Sequence, residues 1–203
     1  MMQAAAVLST SDAIHGIIVM SEGVVVPPEV PILDSHCVER GALGHLLKTW
    51  TVDGGLLMGE MAFTGRAGRR AFQQIERGEI DGCSCHFKFK RFSVFDTVDY
   101  RVVEPGEARE RGPDDANLVI VIRNSRLLEV SICAIPADRN ARVWACSERA
   151  VMHKMIASGE AALERILGRE LGSSSYSRTP FDQLRRRMPA RGLVQYRMPE
   201  ALL

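Results

Sequence analysis

Gly82-Cys83-Ser84-Cys85-His86-Phe87-Lys88-Phe89 decides how the chain folds. From Ser84 onward polar and apolar residues alternate, with Ser84, His86 and Lys88 on one face and Cys85, Phe87 and Phe89 on the other. A period of two marks a strand with one face turned to a core. Just upstream, over residues 65–77, Ala67, Ala71, Phe72 and Ile75 recur near helical spacing and stop at Gly78, which predicts a short amphipathic helix. Further out, residues 43–50 and 56–63 flank the turn Asp53-Gly54-Gly55 and predict a hairpin. Residues 14–20, 24–26, 30–33, 96–103, 118–122 and 127–135 read as further strands, two of them stopped by Pro27-Pro28 and Pro136. Residues 104–117, polar and carrying two prolines, read as a long loop. The pattern predicts a mainly β (α+β) fold of about seven strands with one inserted and one terminal helix, a small β-barrel or curled sheet rather than alternating βαβ units.

Residues 13–146 hold this pattern and form the expected domain. Residues 1–12 are small and polar and read as a flexible N-terminus. Over 147–171 a stripe of Val151, Met155, Ile156, Leu163, Ile166 and Leu167 predicts a helix, and 172–203 read as a linker and a basic, flexible tail. The net charge of +1 argues for no global field, but it is unevenly spread. From Arg149 onward ten basic residues face five acidic ones, leaving a mildly acidic body. The run Arg185-Arg186-Arg187 has few aromatic neighbours and reads as a solvated tail rather than a nucleic-acid interface. No apolar run approaches the ~20 residues of a membrane span. Five cysteines, an odd number set partly in apolar runs, fit reduced thiols of an intracellular protein better than a disulfide framework.

Three separate stretches place a chemically competent residue in or beside an apolar run. Pro31-Ile32-Leu33-Asp34-Ser35-His36 delivers an imidazole, the 82–87 stretch a hydroxyl at Ser84, and Leu127-Leu128-Glu129-Val130-Ser131-Ile132 a carboxylate. Glu129 is the oddest of the three, because an unpaired charge in such a run is costly to bury: its side chain either points to solvent or has a cationic or hydrogen-bonding partner, such as His36. Hydroxyl, imidazole and carboxylate are the parts of nucleophilic acyl transfer. Two rival chemistries use the same residues. Cys83 or Cys85 beside an imidazole could act as a thiolate nucleophile. Cys37, Cys83, Cys85, His36 and His86 could bind zinc, although their spacing matches no recurring finger or ribbon, and no metal or other cofactor is expected.

Taken together, the three stretches resemble the prohead (capsid maturation) serine proteases of tailed phages, relatives of the herpesvirus assemblins. A histidine closes a short apolar run at His36, and Leu43-Gly44-His45 and Gly54-Gly55-Leu56 follow. A helix ends in glycine ahead of Gly82-Cys83-Ser84-Cys85-His86-Phe87, a Gly-x-Ser-x-x-Phe pattern. Leu127 to Ala137 then match Leu-x-Glu-Val-Ser-x-x-x-x-Pro-Ala, the most specific part. The match covers about residues 13–145, and it departs at His86, usually a small residue, and at the Pro-rich segment ahead of His36. What the resemblance implies is a partly closed, herpesvirus-protease-like β-barrel with surrounding helices, with Ser84 as nucleophile, His36 as general base then acid, and Glu129 orienting His36. Backbone N–H groups of Ala137, Asp138 and Arg139 would form the oxyanion hole. The implied partner is a phage scaffold or major capsid protein as substrate, cut inside the assembling prohead in the cytoplasm of the host bacterium, with self-cleavage near residues 172–178. The resemblance also allows a homodimer. A non-catalytic capsid-assembly factor of the same fold is the alternative.

Overall fold

The computed structural model describes residues 2–10, 16–52, 55–112, 114–145 and 196–197. In chain order the elements are β1 (Met2–Ser9), β2 (Ile17–Val19), a 3-10 turn (Ser21–Gly23), β3 (Val24–Val25), β4 (Pro31–Asp34) and a second 3-10 turn (Val38–Arg40). They continue through β5 (Gly44–Val52), β6 (Leu56–Phe63), α1 (Gly65–Glu76), β7 (Gly82–Phe89), β8 (Arg91–Asp96) and β9 (Arg101–Val103). The last are α2 (Pro105–Arg111), β10 (Leu118–Ile122), β11 (Ser125–Cys133), β12 (Val143–Ala145) and β13 (Tyr196–Arg197). The molecule is mostly β, as expected. No helix among the described residues is long and apolar enough to cross a membrane.

An eight-stranded sheet runs β12-β1-β6-β5-β4-β11-β3, with β7 paired to β11. Its core face gathers Ala4, Ala6, Leu8, Ile32, Met61, Phe63, Cys83, Leu127, Val130 and Ile132 under α1, which contributes Ala71, Phe72 and Ile75. The helical stripe is Gly68, Ala71, Phe72 and Ile75, and the expected Ala67 is exposed instead. Gly68 belongs to the stripe because its Cα lies against the backbone just ahead of β5: a Cβ there would meet the Leu43 carbonyl at 2.1 Å. A five-stranded sheet, β13-β8-β10-β2 with β9 on β8, carries a smaller core of Ile18, Met20, Phe95, Val119 and Val121.

Three expectations are corrected. Residues 2–9, read as loose, form a strand between β6 and β12. Met-Gln-Ala-Ala-Ala lacks the β-branched signal of strands, yet it is buried on both faces, Ala4 and Ala6 toward the main core and Val7 toward Met58 and Trp144. The strand read over 96–103 is confined to 101–103: Asp96 ends β8, and its Oδ1 accepts the N–H groups of Val98 (2.7 Å) and Asp99 (2.9 Å) and closes a turn. The loop read over 104–117 holds α2, with Pro105 in its first turn, where a missing N–H costs nothing. Arg111 ties that helix to Asp96 and to Asp115 (2.7 Å). Burial acts to raise the Asp96 carboxyl, but the hydrogen bonds from Asp99, Arg111 and Val98 outweigh it and hold the group below its ordinary value. The strands number thirteen among the described residues, against about seven expected. The expected helix over 147–171 and all but two residues of the tail over 172–203 lie outside the described residues.

The path of the large sheet is open, but its ends approach one another. Gly82 at the start of β7 makes an isolated bridge to Arg142, and Val143 N–H donates to the Asp81 carbonyl at 2.8 Å. No side chain fits at Gly82, because a Cβ would lie 2.5 Å from the Cys133 carbonyl oxygen and 2.9 Å from Pro136 Cδ. Gly82→Ala is therefore expected to lower stability by roughly 1–3 kcal/mol. The measurement is the midpoint of urea unfolding, and an unchanged midpoint would show that this approach is not tight.

Candidate active site

β11 is the hub of the site. On one edge it pairs in parallel with β4, Ser131 opposite Leu33, and on the other antiparallel with β7. Across the second ladder Ser84 stands opposite Ser131, and His86 opposite Glu129, with a bulge after Leu127. Directly opposed residues share a face of the sheet, so Ser84, His86, Glu129 and Ser131 stand on one face. Cys83 and Cys85, opposite Ile132 and Val130, stand on the core face. The alternation read in the sequence is thus the alternation of the ladder.

β4 ends at Asp34, and the chain turns with Ser35 and His36 both left-handed, at φ 50° and 61°. Residues other than glycine hold that conformation only where the surroundings fix it. Here Ser35 N–H donates to the Ile132 carbonyl (3.1 Å), Cys37 N–H to the Asp34 carbonyl (2.9 Å) and His36 N–H to Ser131 Oγ (2.8 Å). The Arg40 guanidinium, 2.6 Å from Asp34, holds that carboxyl below its ordinary value and ties the 3-10 turn to the end of β4. The turn brings the His36 imidazole back over β11, where Nδ1 makes a close hydrogen bond to Glu129 Oε1. The other oxygen, Oε2, accepts the Ser131 hydroxyl at 2.8 Å.

Glu129 is only 7% exposed and Ser131 is fully buried, while the His36 side chain is close to half exposed. An ionised carboxylate only accepts, so the imidazole proton sits on Nδ1 and leaves the lone pair at Nε2 free to take a proton. Ser84, 7% exposed, lies one strand away on the same face. Of the three expected residues the structure therefore joins His36 and Glu129 directly. It records no hydrogen bond between Ser84 and His36.

Beyond β11 the chain turns back over the start of β7 through Pro136, which borders Gly82, to Ala137, Asp138 and Arg139. Asp138 is buried and anchors this turn to the end of β1, its Oδ2 accepting both N–H and Oγ–H of Thr10 at 2.8 and 2.9 Å. Its Oδ1 accepts the Asn140 N–H at 3.0 Å. Asp138 thus fixes the turn that carries the three backbone groups, and Pro136 at its start borders Gly82, two residues before Ser84 on β7. Sequence reading missed two supports of the site. One is the Thr10 anchor, in a segment read as loose. The other is Ser131, which stood in the Leu-x-Glu-Val-Ser pattern but was given no role there.

Cys83 and Cys85 are poor nucleophiles here. Burial pushes the Cys83 and Cys85 thiols well up, and both face the core, Cys83 donating to the Val7 carbonyl at 3.2 Å. His86 stands on the opposite face of β7, and His36 folds over that same face, so thiols and imidazoles do not converge on a metal. Among the described residues no group of three such ligands does. Iodoacetamide at pH 8 is expected to modify the partly exposed Cys37 well before the buried Cys83 and Cys133 in the native protein. Peptide mass spectrometry reads the order, and rapid modification of Cys83 would contradict the burial described.

Comparison with known proteins follows the same lines. A model of the caudovirus prohead serine proteases matches residues 52–155, a span that includes Ser84 and Glu129 and begins after His36. A room-temperature crystal structure of Kaposi's sarcoma-associated herpesvirus protease, in complex with an allosteric inhibitor, superposes with a TM-score of 0.44 and 14% identity. The superposition covers 85% of this chain and 91% of that one. Among curated proteins none matches. With just over half of its length matched to one family, the chain belongs to the caudovirus prohead serine proteases.

Proposed function

We propose that the chain is a capsid-maturation endopeptidase in which Ser84 is the nucleophile, His36 the general base and then acid, and Glu129 the group that orients His36. What carries this reading is the His36–Glu129 contact, made on the face of the β7–β11 ladder to which Ser84 belongs. In the first step Ser84 Oγ attacks the scissile carbonyl and its proton passes to His36 Nε2. Glu129 stabilises the imidazolium without taking the proton. His36 then gives that proton to the leaving amine, and water repeats the sequence on the acyl-enzyme. The carbonyl oxygen, negative in the tetrahedral intermediate, is placed against backbone N–H groups of Ala137, Asp138 and Arg139. Such a donor is worth roughly 3 kcal/mol in acyl transfer. In the same reading the large sheet is a partly closed barrel, and its near-closure at Gly82 and Arg142 fixes where β7, and so Ser84, begins.

Membership of the prohead proteases makes a capsid-associated protein the substrate class. We assign the substrate to scaffold or to capsid-protein extensions inside the assembling prohead, and include the chain's own linker over 172–178. A fluorophosphonate probe tests the chemistry. The wild-type protein is expected to be labelled at Ser84, Ser84→Ala not at all, and Glu129→Gln to react up to roughly 10⁴-fold more slowly, the cost seen when a triad acid loses its charge. Labelling of Ser84→Ala at the wild-type rate would remove the assignment. Labelling absent from every form would favour a non-catalytic assembly factor of the same fold. Intact mass during the same incubation reads self-cleavage, which should occur in the wild type and not in Ser84→Ala.

A further inference from the structure

We propose that Ser131 is a positioning residue of this site: its oxygen holds the backbone of His36 while its proton orients Glu129. The proposal rests on the roles given above to His36 and Glu129. Ser131 is fully buried in β11 between Val130 and Ile132, which face the core. A hydroxyl has one proton to donate and lone pairs to accept with. The proton goes to Glu129 Oε2 at 2.8 Å, and a lone pair takes the His36 N–H at 2.8 Å. One side chain thus fixes both partners of the imidazole–carboxylate contact, the histidine through its main chain and the glutamate through the oxygen that the imidazole does not use.

The backbone shows why such a hold is needed. His36 sits at φ 61°, and its neighbour Ser35 is left-handed too; backbone carbonyls hold the N–H groups of Ser35 and Cys37 on either side, while that of His36 is held by the Ser131 side chain. Without Ser131 the His36 N–H would be left unpaired and the carboxylate would keep one of its two protein donors. The same bookkeeping separates two serines that face each other across the ladder. The single proton of Ser131 is committed to Glu129, so it is not a second nucleophile beside Ser84.

The test uses the full-length protein with Ser131→Ala, Ser131→Thr and Ser131→Cys, alone and combined with Glu129→Gln, and reads fluorophosphonate labelling of Ser84. Ser131→Ala is expected to slow labelling roughly 10- to 100-fold, the effect of a small misplacement of a reacting group. Ser131→Thr, which keeps the hydroxyl, should recover most of the rate, and Ser131→Cys, a weak donor, should fall between. On the Glu129→Gln background Ser131→Ala should add little, because both act through His36. The low-field proton resonance of the His36 Nδ1–H, present in the wild type, should broaden or shift in Ser131→Ala. A purely structural serine predicts a lower melting temperature with an unchanged labelling rate per folded molecule, or full additivity with Glu129→Gln, and either result overturns the proposal. If Ser131→Ala does not fold, a wild-type rate in Ser131→Cys overturns it. A labelled wild type with an equally fast Ser131→Ala rejects this proposal alone, whereas an unlabelled wild type rejects the peptidase reading with it.

Discussion

A carboxylate buried in a strand has to be given hydrogen-bond donors or it destabilises the fold it sits in. Glu129 is such a carboxylate, and both of its oxygens are satisfied, one by the His36 imidazole and one by the Ser131 hydroxyl. That requirement reaches well beyond one residue. It ties β11 to the turn after β4 and demands a left-handed backbone at residues 35 and 36. It also fixes the register, because a slip of one residue would move Glu129 from the site face to the core face.

The frame around that contact is built from close backbone approaches. β11 has β4 and β3 on one edge and β7 on the other, so all three stretches with chemical potential meet on one strand. At Gly82 the start of β7 is pressed against the end of β11 and Pro136, and at Asp138 the following turn is locked to β1 through Thr10. These contacts position Ser84 relative to Glu129 through rigid strands rather than through loops, and rigid support is what a reaction sensitive to sub-ångström placement needs.

Much of this was legible in the residues, and the physical reason is alternation. Ser84, His86 and Lys88 against Cys85, Phe87 and Phe89 gave the faces of β7 correctly, and the hairpin of β5 and β6 and helix α1 emerged from their periods and turn residues. The oddity of a glutamate in an apolar run pointed to its histidine partner. What stayed hidden lacked a local signal. β1 is an alanine-rich strand buried on both faces, so tertiary context overrides a weak propensity. α2 is held by Arg111 bridging to Asp96, fifteen residues away, and no polar loop composition announces that. Ser131 stood in the Leu-x-Glu-Val-Ser pattern without an assigned role, because that role exists only once His36 has folded back over it.

The account turns on Ser84 and His36 sharing one reaction centre with Glu129 behind the imidazole. The most direct measurement is a crystal structure of the protein inactivated by a peptidyl phosphonate. The account predicts phosphorus bonded to Ser84 Oγ, His36 Nε2 within ~3 Å of the adduct, and Nδ1 still on Glu129. An adduct on any other side chain, or an imidazole turned away from Ser84, would contradict it.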